Sequence, residues 1–203
     1  MDVSVDKVRE LREKTGAGIM DCRRALAETG ADMEKAVEFL RRAGIAKSAK
    51  FASKKAAEGL VHCYIHPGGR IGVVVEVNCE TDFVARTDDF KTLVNELALQ
   101  VAATAPLGLT RDDIPKDVLE KEKDIYRSMA LQDGKGKPEK VIEKIIEGRL
   151  TKFYEDACLL DQIWIKDPAQ EKRVGDLVKE LSGKTGENIV VRRFARFQLG
   201  EAS

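Results

Sequence analysis

The chain has 203 residues, 43% of them hydrophobic, which is enough to build a buried core. Lys plus Arg and Asp plus Glu both number 35, so no net positive field draws the molecule onto nucleic acid or an anionic membrane, and a charged partner has to be met by a local patch. The four cysteines, Cys22, Cys63, Cys79 and Cys158, include no CxxC pair, which argues against a zinc knuckle or redox motif and for reduced, mostly buried thiols.

The opening residues, Met1 to Asp6, have neither the apolar stretch of a signal peptide nor the arginine-rich look of a transit peptide, so a bacterial-type cytoplasm is the expected setting. No apolar run approaches the roughly 20 residues that a membrane helix needs. Three short helices are predicted next. Ser4 is placed to cap the first, which carries Val5, Val8 and Leu11 and stops at Gly16; the second runs from about Met20 through Ala25 and Leu26 to Gly30. Asp32 caps the third, in which Met33, Ala36, Val37 and Leu40 recur at helical spacing, with Gly44 after its last turn. The stretch "AKSAKFASKKAAE" that follows has only Phe51 as a bulky apolar residue and reads as a tether. Its lysines, Lys47, Lys50, Lys54 and Lys55, lack the interleaved aromatics of an RNA-stacking surface and read as solvated.

Beyond the tether the period becomes two. Val61, Cys63 and Ile65 alternate with His62, Tyr64 and His66; Pro67 to Gly69 makes a turn; then Ile71, Val73, Val75 and Val77 alternate again, which is a β-hairpin. The helical period returns behind a Thr87 or Asp88 cap with Phe90, Leu93, Val94, Leu97, Ala98 and Val101. Further helices are predicted behind Pro115, Pro138 and Pro168, with Val141, Ile142, Ile145 and Ile146, and Val174, Leu177, Val178 and Leu181, as core stripes. "GENIVVRRFARFQLG" closes the chain as a strand. This order gives an α+β fold: a three-helix N-terminal domain (1–45), a basic linker (46–59) and a core of antiparallel sheet packed with helices (60–203). The hairpin strand Ile71 to Val77 and the terminal strand are each expected at or near a sheet edge.

The search for chemistry ends in exclusions. His62 and His66 on one strand stand ~13 Å apart, too far to share a metal ion. "SGKTG" at Ser182 to Gly186 imitates the end of a phosphate loop, but the position that needs the earlier glycine holds Val178 and a helix, not a strand, precedes it. "TGAG" at Thr15 to Gly18 follows a helix and falls short of a dinucleotide fingerprint. An enzyme would have to use Cys79 or the His62, His66 pair. No direct nucleotide binding, metal or cofactor is expected.

One segment resists this bland reading. In "VEVNCETDFVARTDDF", Val75 to Phe90, an apolar pair, Phe83-Val84, sits between the end of a strand and the start of a helix. From the residues alone two placements of Phe83 are open: inward over Phe90, as most phenylalanines go, or outward as an anchor. "LREKTGAGIMDCRRAL", Leu11 to Leu26, and "VNCETDFVAR", Val77 to Arg86, resemble the two signature segments of the elongation factor Ts family; "EGRLTKF" and the terminal "RRFARFQLGE" extend the likeness along the chain. The resemblance implies a guanine nucleotide exchange factor that binds elongation factor Tu and promotes GDP release without covalent chemistry. It implies two partner-binding segments, Thr15, Gly16, Ala17, Gly18, Ile19, Met20 and Asp21, and Thr81, Asp82, Phe83, Val84 and Ala85. Phe83 is then the wedge pressed into the partner's nucleotide-binding domain near its magnesium site, and Asp82 shifts the surroundings of that Mg²⁺. The N-terminal helices resemble ubiquitin-associated domains, which leaves recruitment of some other protein as a rival. Longer relatives carry two core halves in one chain, whereas this chain has one, so the resemblance implies a homodimer and a 2:2 complex.

Overall fold

A computed structural model describes residues 3–133 and 138–201, and among these the chain forms eight α-helices, a short 3-10 turn at Arg111–Asp113 and a three-stranded antiparallel sheet. The α+β class follows, as the changes of period predict. Helices α1 (Val5–Thr15), α2 (Ile19–Glu28) and α3 (Met33–Ser48) close over a core of Val8, Leu11, Cys22, Ala25, Leu26 and Ala36. Ser4 holds the N-cap position of α1 without making a side-chain bond, whereas Asp32 caps α3 by accepting from the N–H of Lys35 at 3.1 Å. Gly16 ends α1 in the left-handed region at φ 65°.

Gly44 does not end α3, which continues to Ser48. Its neighbour explains why. At Gly44 the backbone of α3 meets Gly183 of α8 (Val174–Thr185), where an added Cβ would lie 2.3 Å from the Gly44 carbonyl oxygen. This packing outweighs the ~1 kcal/mol that one glycine costs a helix interior. The stretch read as a tether starts inside α3 and continues as turns, with the N–H of Phe51 donating to Ser48 and that of Lys54 to Phe51. It is also fastened down: the side-chain amide of Asn188 donates to the carbonyl of Lys54 at 2.7 Å, and the Lys54 ammonium pairs with Glu80 at 3.0 Å.

Strands β1 (Glu58–Ile65) and β2 (Ile71–Cys79) form the hairpin, and β3 (Val190–Gln198) pairs on the far side of β2, giving the order β1-β2-β3. The hairpin strand Ile71 to Val77 is therefore central, not at an edge, because the returning terminal strand takes its free side. Val73, Val75, Val77 and Cys79 are buried along one face of β2. The apolar residues of β1 do the opposite: Val61 and Ile65 stand in solvent, as do Phe197 and Leu199 at the end of β3.

Helix α5 (Asp88–Thr104) starts at a Thr87 cap, whose hydroxyl accepts from the N–H of Phe90 at 3.3 Å, and buries Phe90, Leu93, Val94, Leu97, Ala98 and Val101 as predicted. Helices α6 (Lys116–Asp133) and α7 (Glu139–Ala157) pack on each other. Of the predicted α7 stripe only Ile142 is buried, and Val141 is exposed, since one paired helix offers a single narrow seam. In α8, Val174, Val178 and Leu181 of the predicted stripe are buried, while Leu177 is only half-buried. Pro168 does not open a helix. The Asp167 carboxylate takes the N–H groups of Glu171 and Lys172, which stabilises a turn and postpones α8 to Val174.

By packing the chain divides into two units. The first combines the chain up to Leu60 with Val77–Leu93 and Asp176–Arg192 and holds the three-helix core. The second comprises Val61–Glu76, Val94–Gly175 and the chain from Arg193, with a core at Ile114, Ala157 and Cys158. Both partner-binding segments expected from the sequence lie in the first unit.

Candidate protein interface

Phe83 faces water. After β2 ends at Cys79, the chain bends through Glu80 and enters α4 (Asp82–Ala85), a single helical turn rather than a loop. Thr81 is its N-cap, extended at φ −129°, and its hydroxyl accepts a long bond of 3.4 Å from the N–H of Val84. Ala85 points inward and is buried; Val84 is half-buried; Phe83 is 78% exposed. Phe90 is fully buried without it, and the exposure of Phe83 rules out the inward placement. Asp82 sits in the first turn, where a carboxylate is favourable, and pairs with Arg86 at 2.8 Å on the surface.

The Thr15 to Asp21 segment is the connection between α1 and α2. The Thr15 hydroxyl donates back to the carbonyl of Leu11 at 2.7 Å, Ala17 packs on the three-helix core, and Gly18 is the N-cap of α2. Ile19 and Met20, at 55% and 70% exposure, turn outward from the first turn of that helix. Asp21 is held by two cations, Arg24 and Lys47, each at 3.0 Å. Within this unit Lys184 reaches both neighbourhoods: its stem covers Gly16, where an added Cβ would fall 2.3 Å from the Lys184 Cε, and its ammonium pairs with Asp89 in the first turn of α5 at 2.7 Å.

The residues that brace the motif come from the turn before β3. The Glu187 carboxylate accepts from the N–H of Glu80, the N–H of Thr81 and the Thr81 hydroxyl. Glu80 in turn accepts from the N–H of Asn188 at 2.7 Å, and this bond, with Lys54 behind it, holds the Glu80 carboxyl below its ordinary value of 4.5. Sequence reasoning missed Lys184, set aside with the failed phosphate loop, and Glu187 and Asn188, read as the start of the terminal strand. The available signal was a carboxylate and an amide side by side at the start of a strand, with no local partner for either.

The rival chemistries have little to work with. Cys79 is buried and donates its thiol to the Thr81 carbonyl at 3.1 Å; burial, with the Glu187 carboxylate adding, pushes its pKa up to about 11, so it stays a thiol at neutral pH. His66 lies at the end of the hairpin strand, with its Nδ1 3.0 Å from the Tyr64 hydroxyl. Among the described residues no three His, Cys, Asp or Glu side chains gather closely enough to hold a metal ion. What the first unit presents is apolar side chain on braced backbone, the means by which proteins meet proteins.

Comparison with known proteins gives that surface a lineage. The family model described as "Elongation factor TS" matches residues 45–201. The chain is 58% identical over 199 residues to the elongation factor Ts of Moorella thermoacetica, covering 98% of this chain and 96% of that one. It is 56% identical over 199 residues to that of Caldanaerobacter subterraneus subsp. tengcongensis, with 98% of each covered, and 54% identical over 200 residues to that of Desulforamulus reducens, with 98% and 90% covered. The chain belongs to the elongation factor Ts family.

Proposed function

We propose that this chain is a guanine nucleotide exchange factor that binds elongation factor Tu and promotes GDP release during translation elongation. The observation that carries the proposal is Phe83, a large apolar ring held out in water on a short braced helix. The ring enters the partner's nucleotide-binding domain, and the exposed Ile19 and Met20 at the start of α2 supply a second contact. The factor acts by binding alone. It favours the nucleotide-free partner over the GDP-bound one, and linkage requires that the factor by which it weakens GDP equal the factor by which GDP weakens it.

The division of labour is a three-helix unit (1–45), a basic connector (46–59) and a core (60–203); a hydrophobic cluster whose members all fall between Val3 and Leu40 supports it. The working form is a homodimer in a 2:2 complex with elongation factor Tu. Support comes from the unburied apolar residues Val61, Ile65, Phe197 and Leu199, the last three of which line a groove together with Cys63 and Val74. The setting is the cytoplasm: no helix among the described residues is long and apolar enough to cross a membrane, and the balanced charge supports a protein partner rather than nucleic acid.

The reading is tested by titrating this chain calorimetrically into elongation factor Tu in nucleotide-free and GDP-saturated forms. Tighter binding to the nucleotide-free form, by the same factor that the chain weakens GDP, is expected. Equal affinity for both forms contradicts the proposed preference for the nucleotide-free partner, since such a ligand shifts no equilibrium.

A further inference from the structure

A single turn of helix is a poor platform for an anchor. Nucleating a helix is unfavourable, a four-residue helix such as α4 has no stability of its own, and its one capping bond, from the N–H of Val84 to Thr81, is long at 3.4 Å. Yet Phe83 is presented on it in one direction, 78% exposed, with buried Ala85 as the inward-facing residue of the turn. Beside the Cys79 thiol on the Thr81 carbonyl, the restraint at the N-terminal end is Glu187. Its carboxylate gathers three donors at the mouth of α4: the N–H of Glu80 at 3.0 Å, the N–H of Thr81 at 3.1 Å and the Thr81 hydroxyl at 2.6 Å. The Glu80 carboxylate accepts from the N–H of Asn188 at 2.7 Å, so the two segments are bonded in both directions. Charge-assisted bonds of this kind are about twice as strong as neutral ones.

We propose that Glu187 is a positioning residue for exchange, fixing α4 so that Phe83 meets the partner already oriented. It touches neither partner nor nucleotide. Its contribution is preorganisation: with the carboxylate in place, the ordering of residues 80–85 is complete before binding, and without it that ordering is charged to the association and release steps. The proposal rests on Phe83 being the group that enters elongation factor Tu. It differs from a merely structural role in one measurable respect, because a residue that acts through Phe83 has little left to act on once the ring is removed.

The test is a double-mutant cycle in the full-length chain with Glu187→Ala, Phe83→Ala and the pair, reading catalysed release of fluorescent GDP from elongation factor Tu beside thermal unfolding of each variant. Glu187→Ala is expected to slow release about fivefold in the otherwise native chain and less than about twofold in the Phe83→Ala background. Glu187→Gln, whose amide oxygen still accepts from backbone N–H groups, is expected to fall between Glu187→Ala and the native chain. Losses that multiply in the double variant, or a Glu187→Ala variant that releases GDP at the native rate, overturn the proposal. A Phe83→Ala variant that is fully active overturns the reading of Phe83 instead, and the positioning role with it. Should Glu187→Ala not fold, Glu187→Gln carries the same cycle with the same criteria.

Discussion

Phe83 forgoes the ~2 kcal/mol or more that burying a phenylalanine yields, while Phe90, seven residues on, is fully buried. The pair therefore makes opposite predictions. Phe83→Ala should leave thermal unfolding nearly unchanged and slow catalysed GDP release about tenfold or more, the ~1.4 kcal/mol or more expected for loss of one good anchor. Phe90→Ala should destabilise the fold by about 3–5 kcal/mol. A Phe83→Ala variant with native exchange rates contradicts the anchor. The placement of Phe83 was not decidable from the residues, because apolar spacing assigns a face only within one continuous element. Here α4 stops at Ala85 and α5 starts at Asp88, so Phe83 and Phe90 belong to different helices and share no face. The family likeness supplied what periodicity lacked. It pointed to Thr81 through Ala85 but gave no hint of Glu187, whose partners lie far away in sequence.

Helices and strands were legible wherever a signal was local. Gly16 takes a left-handed conformation and ends α1, Asp32 caps α3, and Thr87 caps α5, each through bonds within a few residues. The error at Pro168 was local, set by the Asp167 carboxylate, but at Gly44 a distant segment decided the outcome. Gly44 resembled a helix stop, yet it lies inside α3 where α8 passes close by. The two glycines of that crossing should respond differently to a methyl group. An alanine at 183 drives its Cβ into the Gly44 backbone, at 2.3 Å from the carbonyl oxygen, whereas an alanine at 44 meets, outside its own helix, the Glu180 carbonyl at an ordinary 3.9 Å. Gly183→Ala is expected to destabilise by about 1–3 kcal/mol. Gly44→Ala is expected to stabilise by about 0.5–1 kcal/mol through helix propensity. Chemical denaturation of both variants measures this, and a stabilised Gly183→Ala variant would contradict the crossing.

The α+β class was readable from the changes of period, but the sheet's order was not, since alternation in β3 does not reveal which strand it joins. That order leaves β1 and β3 as edges, with Val61 67%, Ile65 65% and Phe197 68% exposed. If a second copy covers these residues, light scattering will give twice the 22.5 kDa chain mass at micromolar concentration. Cys63, exposed in the single chain, then reports on the contact: its labelling by a thiol reagent should be slow in the dimer and accelerate on dilution, while buried Cys22, Cys79 and Cys158 stay slow throughout. A mass of one chain with exchange intact would contradict the dimer. The proposed activity is exchange, and stopped-flow release of fluorescent GDP from elongation factor Tu measures it directly. The account predicts a release rate that climbs with the concentration of this chain, in the presence of excess unlabelled nucleotide, until the complex saturates. A release rate unchanged at every concentration, for a folded chain, would contradict it.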